Sequence, residues 1–570
     1  MTDPGSDRRP SDARFRAAVV LTIILVASFL LKLNHLGHHG IKALDESFHA
    51  LVAKNLIRHP LRPTLIDRPS LAYDYRDWMS NHVWLHKPIV PLWQMAASMA
   101  LFGVNTLALR LPSVLLATAA VWLTYAIGRE LLNDRRAALI GAALQAFNPG
   151  ITSLVHGYVF SDHIDVAFLF WVELAVFCLI RAVRSGSLFW TIAAGAAQGI
   201  AFLSKTYPAF VVTGIALLAW QLPLRGFADQ AAARFKGRHL LILLASTIVV
   251  VAPWTIWCIV HFPREFSWEQ LQVFRHLTHN VEQWAAPWDR LIFDFSLRIY
   301  LWFYPAVLVA AVLLFRAAWR EKNLALWLLL AWGLGVLIPH TLATSKTPTA
   351  TLIGWPPFLL LLGVMIVRAV DGDAWCLGGW LAATLLAAFA PGAIAQQGWG
   401  YPDPPAFAAV MRQNIWVLWH VLLALAAAAM IAFLMRRNWL AGNRRTVLVV
   451  AATLATIYLG GRMTWLAYRV TEANEALRER PSFAELGRAA NAALPDNAVI
   501  LLENRQKFEH VSAMFFIDRT VYPTTPDTIE GTARSIRTAG GEPFLVTDRA
   551  LPLPPALSGA PDGRRVYALP

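Results

Sequence analysis

Charge is the scarcest property of this 570-residue chain. Only 15% of it is Asp, Glu, Lys or Arg, against about 25% in ordinary soluble domains. With 57% of residues apolar and a mean hydropathy of +0.47, a water-soluble globule would be left with apolar surface it could not cover. The apolar residues come in long unbroken runs, so lipid is the solvent they imply. Cysteine is scarce too. Cys178, Cys258 and Cys376 lie far apart, each inside an apolar run, which excludes a disulfide framework and a cysteine metal cluster. Acidic residues are outnumbered 36 to 50, for a net charge of +14. That excess sits between apolar runs and not in an Arg-rich stripe with interleaved aromatics, so nucleic acid is not the partner it indicates. There is no internal repeat and no low-complexity segment. No small-residue cleavage site follows the first apolar run, which therefore reads as an uncleaved first span.

Runs of about 20 apolar residues suffice to cross a bilayer as helix. They begin near Ala17, Leu107, Ala137, His163, Leu188, Tyr207, Leu240, Tyr300, Leu324, Leu352, Trp375, Trp416 and Val447. The expected fold is therefore an all-α polytopic membrane protein of about 13 transmembrane helices. With a cytoplasmic N-terminal tail (1–16), one side receives Arg8, Arg9, Arg14, Arg16, Arg129, Arg135, Arg136, Arg181 and Arg184. The same side receives the basic residues at 225–238, 316–322 and 436–445, while short connections opposite hold only Lys205, Lys346 and Arg412. This alternation satisfies the positive-inside rule. It leaves two long outer loops, 35–105 and 261–298, in a membrane domain spanning 17–471. The tail 472–570 alternates β-rich runs (Ala498–Leu502, Phe544–Thr547) with helical patterns (Phe483–Ala493, Ile529–Thr538), as a small outer α/β domain would.

The first outer loop carries the densest chemistry. Leu44-Asp45-Glu46-Ser47-Phe48-His49 opens a helical pattern with Phe48, Leu51, Val52 and Leu56 on one side, and Asp45 and His49 share a face. The stretch 89–103 is apolar but too short to span, so both segments are expected as helices in the interface plane. Between them stands Trp84-Leu85-His86-Lys87-Pro88. Asp45 and Glu46 also suit helix capping, and Lys87 a snorkelling anchor. Further charges lie at outer ends of spans: Asp162 and Asp165, Lys205, and Lys346. Charge at membrane depth is costly and often functional. Carboxylates and lysines gathered on one side suit a substrate bearing both hydroxyl groups and a phosphate.

These segments together resemble the C-type-fold glycosyltransferases that use polyprenyl-phosphate sugars, which include the protein O-mannosyltransferases and the lipid A aminoarabinose transferases. Asp45-Glu46-Ser47-Phe48-His49 resembles the family's acidic pair in the first outer loop. His86-Lys87-Pro88-Ile89-Val90-Pro91-Leu92-Trp93 resembles its Lys-Pro-Pro-Leu stretch. Phe102-Gly103, Leu109-Arg110-Leu111-Pro112-Ser113, Tyr125-Ala126-Ile127-Gly128-Arg129, Ala201-Phe202-Leu203-Ser204-Lys205, Pro253-Trp254 and Ser345-Lys346-Thr347-Pro348 follow in the family's order. The chain departs from the pattern at His86, where relatives often carry Glu, and at Ile89, where they carry a second Pro.

The resemblance implies an inverting transfer of one sugar from a polyprenyl-phosphate donor to a protein, lipid A or other envelope acceptor. It implies a bacterial inner-membrane protein with its site facing the periplasm. Asp45, with Glu46 beside it, would be the catalytic carboxylate. Lys87, Arg275 (in Val273-Phe274-Arg275-His276), Lys346 and Lys205 would hold the donor phosphate. His49, His86, Asp162 and Asp165 are candidate substrate contacts. No cofactor is required by the pattern; a divalent metal is the one it admits, with His86 and His49 as candidate ligands. Two other readings compete. Asp371-Gly372-Asp373 has the acid-x-acid spacing of nucleotide-sugar enzymes, but it falls in a short cytoplasmic turn, where cap chemistry explains it. A transporter or flippase of lipid-linked sugars is the alternative from another class, but the paired halves such proteins often show are absent.

Overall fold

The computed structural model describes residues 10–37, 40–42, 44–158, 162–221, 235–287, 303–347, 349–389, 443–476, 483–557 and 563–570. The chain runs α1 (Pro10–Leu33), α2 (Asp45–Arg58), α3 (Ile89–Phe102), α4 (Thr106–Leu132), α5 (Arg135–Ala146), α6 (Pro149–Val155), α7 (Asp162–Ser185), α8 (Leu188–Lys205), α9 (Val211–Gln221), α10 (Gly237–His261) and α11 (Pro263–Thr278). It continues through α12 (Phe303–Glu321), α13 (Leu324–Leu342), α14 (Trp355–Asp371), α15 (Ala374–Phe389) and α16 (Asn443–Ala476).

Among the described residues, seven helices are long and apolar enough to cross a membrane: α1, α4, α7, α10, α13, α14 with its leading turn, and α16. An eighth span results if α5 and α6, bent by 48°, are one broken crossing. The bend falls at Pro149, which has no N–H to continue a helix. The carbonyl of Ala146, freed there, accepts from the buried Lys32 ammonium of α1 at 2.7 Å, and Asn148 caps Gly150 N at 2.8 Å. The runs expected from Leu188, Tyr207 and Trp375 form α8, the shorter α9 and α15, and the run after Tyr300 contains α12. Tyr300 and the Trp416 run lie outside the described residues.

Nearly all of α7 is buried, between α4 and α8. α8 in turn packs on α10, where Gly195 and Gly199 face the carbonyls of Leu243 and Thr247 so closely that a Cβ would collide. Small residues let helix backbones approach this way in lipid. The helices have two chemically distinct ends. At one, Glu130 accepts from Arg129 and Arg181 at 2.9 and 3.0 Å, and from Arg184. Arg136 meets Asp371 at 2.7 Å and Arg368 meets Glu321 at 2.7 Å. Arg129, Arg136, Arg181 and Arg184 are among the basic residues that charge alternation assigns to one side. Asp373 caps α15 through Trp375 N and Cys376 N at 2.9 and 3.1 Å, so the acid-x-acid turn is occupied by capping and ion pairing. The opposite ends of α4, α7 and α8 carry Arg110, Asp162 with Asp165, and Lys205.

α16 runs to Ala476, five residues past the expected limit of the membrane domain. The tail folds as α17 (Phe483–Ala493), β1 (Ala498–Glu503), α18 (Glu509–Phe516), β2 (Thr520–Thr524), α19 (Ile529–Thr538), β3 (Glu542–Thr547) and β4 (Arg565–Ala568). The sheet order is β2-β1-β3-β4, with β1 parallel to both neighbours and β4 antiparallel to β3. β1 is a continuous apolar run because it is covered on both faces. This domain sits on α2. Lys54 donates to the carbonyls of Met514 and Phe515 at 3.0 Å each and meets Asp518 at 2.8 Å. Tyr522 Oη accepts from Ser70 N and Leu71 N.

Candidate active site

Four segments meet at the end of the bundle opposite the arginine belt: the start of α2, the loop before α3, the start of α7, and the end of α8. A fifth, α11 with its following loop, is pinned to residues 343–347. Ser345 N donates to His276 O, and Lys346 N to Trp284 O, at 3.0 and 2.9 Å.

α2 and α3 form where the sequence places them, but α2 does not lie exposed along an interface. It is buried on nearly every side, because α3, the loop 63–84 and the tail domain enclose it. Its N-cap is Leu44, with no side-chain cap bond. Glu46, expected beside Asp45 at the chemistry, serves neither as cap nor as an open carboxylate. Its two oxygens take Arg110 Nε and Nη2 at 2.6 and 2.9 Å, and Oε2 also accepts Lys42 N at 2.7 Å. Both side chains are at most 3% exposed. With its acceptor capacity engaged and no room for a substrate, Glu46 is an anchor that fixes α2 on α4. Asp45 begins the helix and is only partly buried. One turn on, His49 Nδ1 meets Asp162 Oδ1 at 2.7 Å, a buried pair that ties α2 to α7. His49 Nε2 is buried without a partner.

Three strained backbone positions mark the same region: Leu44, Asp162 and Thr206, with φ of 73°, 26° and 62°. None is glycine. They adjoin Asp45, pair with His49, and follow Lys205. Such positions typically cost about 1–3 kcal/mol each and cluster at active sites.

Lys87 is positioned by a stack of aromatic rings. His86 lies flat against Trp78, centroids 4.1 Å apart and planes 5° from parallel, with Trp84 edge-on at 5.7 Å. Trp84 is also edge-on to His49 at 5.8 Å. Lys87 Nζ stands 3.2 Å from His86 Nε2. His86 Nδ1 reaches Glu269 Oε2 on α11 at 3.2 Å, and Glu282 lies 3.8 Å from Nε2. Burial holds the imidazole of His276 below the usual histidine range; Glu282 opposes this, and Lys87, His86 and Lys205 reinforce it. Those groups therefore share one electrostatic neighbourhood.

The remaining expected phosphate ligands are placed differently. Lys205 contacts Oδ1 of the otherwise buried Asp165, whose Oδ2 is buried with no hydrogen-bond partner. Lys346 is buried and donates to the carbonyls of Ala286, at 2.9 Å, and Ala343. It braces the turn that carries it. Arg275 lies half-buried in the last turn of α11. Among the described residues no group of three His, Cys, Asp or Glu side chains is disposed to hold a metal ion; both ring nitrogens of His86 and Nδ1 of His49 already face other groups. Glu269, Glu282, His276 and Trp78 escaped sequence reasoning, because their relation to Lys87 follows no local period, and the first three lie on α11 and the loop after it, far along the chain.

The family described as dolichyl-phosphate-mannose-protein mannosyltransferase matches residues 86–257. The undecaprenyl phosphate-alpha-4-amino-4-deoxy-L-arabinose arabinosyl transferase of Pseudomonas aeruginosa is 28% identical over 375 residues, 61% of this chain and 59% of that protein. Its counterpart in Pseudomonas paraeruginosa is 28% identical over 391 residues, 63% of this chain and 62% of that protein. The chain thus spans about three-fifths of the length of the curated relatives it matches. Among solved structures, ArnT from Cupriavidus metallidurans bound to undecaprenyl phosphate superposes with a TM-score of 0.61, at 15% identity over 97% of both chains. The Archaeoglobus fulgidus oligosaccharyltransferase AglB, in complex with an inhibitory peptide and a dolichol-phosphate, gives 0.54 at 12% identity, over 94% of this chain and 69% of that one. The fold is that of the C-type glycosyltransferases. With it, the chain is a multi-pass membrane protein, and the resemblance read from its motifs holds.

Proposed function

We propose that this chain is a C-type glycosyltransferase moving one sugar from a polyprenyl-phosphate donor to an acceptor hydroxyl or phosphate, with inversion, on the outer side of a bacterial inner membrane. The observation that carries this reading is Lys87. Its ammonium is held by the Trp78–His86–Glu269 stack, at the same end of the helices as Asp45 and the His49–Asp162 pair. A departing phosphate gains negative charge, and a fixed cation stabilises it as that charge develops. The acceptor oxygen attacks the anomeric carbon while the bond from that carbon to the phosphate oxygen breaks. The phosphate leaves with the electron pair, and the acceptor proton passes to Asp45. A positioned carboxylate contributes roughly 10²–10⁴-fold to such a step.

Single-turnover transfer from an undecaprenyl-phosphate sugar, measured in detergent beside binding of undecaprenyl phosphate, tests the assignment. Asp45→Asn is expected to slow transfer by about 10²-fold or more and leave lipid-phosphate binding intact. Lys87→Glu is expected to weaken both, by like-charge repulsion. Normal transfer in Asp45→Asn removes the base. Lipid movement across vesicles with no new glycosidic product would establish a transporter instead.

A further inference from the structure

Away from Lys87, on the lipid-facing side of α10, the structure holds an open groove of about 780 Å³. Its floor is the loop that ends α2. Trp257 Nε1 donates to Leu61 O at 2.9 Å and Trp93 Nε1 to Pro60 O at 2.7 Å, so two indoles fix that loop against the helices. Trp257, His261 and Phe262 form the wall, with the His261 ring stacked on Trp257 at 3.6 Å. Next to this wall Ile256, Ile259 and Val260 are 59%, 52% and 66% exposed, an apolar strip leading away from the groove along α10. Indoles at the end of such a strip mark the depth of lipid headgroups.

The polar groups here do not balance. Glu265 accepts the Tyr73 hydroxyl at 2.5 Å, and His59 is paired with Asp67 at 3.0 Å. The guanidinium of Arg62, which lines the groove, is exposed and has no hydrogen-bonded partner among the described residues. The guanidinium of Arg264, beside the lining residue Glu265, is also exposed and without a hydrogen-bonded partner among the described residues, and with Arg62 it acts electrostatically on Tyr73. Two unpaired guanidinium groups thus stand near a groove whose wall adjoins the exposed apolar strip of α10. Guanidinium is the side chain best matched to phosphate oxygens.

We infer that this groove binds a phosphate-bearing anionic lipid of the adjoining leaflet, its phosphate on Arg62 and Arg264 and its acyl chain along α10. The groove does so whether or not sugar is transferred at Lys87.

Native mass spectrometry of the full-length protein in micelles, titrated with phosphatidylglycerol or phosphatidylcholine, tests the site. Phosphatidylglycerol is expected to be retained preferentially. Each neutralisation, Arg62→Gln or Arg264→Gln, should weaken that retention roughly fivefold, and both together roughly 25-fold, since a basic residue near an anionic surface is worth about one unit of kcal/mol. Leu61→Trp fills the groove without altering charge, and should reduce retention of both lipids. Equal retention of the two lipids by the parent overturns the inference. So does unchanged phosphatidylglycerol retention in the double variant with an unaltered thermal midpoint. Displacement of the lipid by millimolar inorganic phosphate alone would show a free-phosphate site and overturn it equally.

Discussion

Replacing Glu46 by glutamine removes one charge from a pair that no water reaches. Arg110 keeps its bond to Leu36 O at 3.1 Å, but one carboxylate oxygen becomes an amide nitrogen that cannot accept from it, and its guanidinium, 3% exposed, has no counter-ion. Breaking a buried pair from one side costs about 3–5 kcal/mol, equivalent to about 10²- to 10⁴-fold in the folded-to-unfolded ratio. Lys42 N can still donate to the amide oxygen, so the loss lies in the charge and not in the cap-like bond. The assay is the monodisperse fraction after heating in detergent, compared with Glu46→Gln/Arg110→Met. In the double variant no charge is buried, and much of the loss should return. Donor binding per folded molecule should be unchanged in both. A Glu46→Gln protein that melts with the parent, yet fails in transfer, would refute this reasoning and restore Glu46 to the chemistry.

Two further outcomes are expected. His510, partly buried in the first turn of α18, has its imidazole lowered by desolvation to about 4, while its Nδ1 lies 3.0 Å from the Asn504 amide nitrogen. Its folded value lies below the unfolded value of about 6.5, so the unfolded chain binds the extra proton first. Stability is full above that value and falls as pH drops from about 6.5 towards 4, by roughly 3 kcal/mol. Hydrogen-exchange protection of β1 should fall over that window and not in His510→Gln; a flat parent profile would dismiss the effect. In the membrane, Thr124 bridges Gln145 and Glu173 Oε2 (2.9 Å), and Gln145 Nε2 donates to Glu173 Oε1 at 2.7 Å. Glu173→Gln can preserve that ring and should melt like the parent. Glu173→Ala should lose about 1–3 kcal/mol for each polar group left unpaired, and equal losses in the two would show that the ring does not hold the three helices.

Helix α2, helix α3 and the tail's helices and β-runs at 498–502 and 544–547 were legible because each is a local pattern with its own period. The placing of Asp45 and His49 one turn apart on α2 was legible for the same reason, whereas the contact of His49 with Asp162, 113 residues on, was not. The function of Glu46 was not. Arg110 stands 64 residues away inside an apolar run, and nothing in either segment signals the other. The burial of α2 on all sides was also hidden. Its exposed-looking residues, Lys54 among them, are covered by a domain that follows more than 400 residues later.

His86 shows how a departure from the family pattern is absorbed. Where relatives often carry a glutamate before the lysine, this chain has an imidazole, which brings no fixed negative charge to Lys87. The carboxylates come instead from α11 and the loop after it: Glu269 across the ring, at His86 Nδ1, and Glu282 on the same side as the ammonium, near Nε2. The exchange has a structural consequence. A glutamate beside Lys87 would belong to the same loop and demand nothing of α11, whereas this arrangement makes the orientation of Lys87 depend on α11 being docked. α11 is in turn fixed to residues 344 and 345, through Thr344 N to Leu277 O and Ser345 N to His276 O at 3.0 Å each. The second long loop and the 343–347 turn therefore act on Lys87 through His86. The segment that carries Arg275 and Lys346 thus also bears on Lys87, by holding the ring that its ammonium faces.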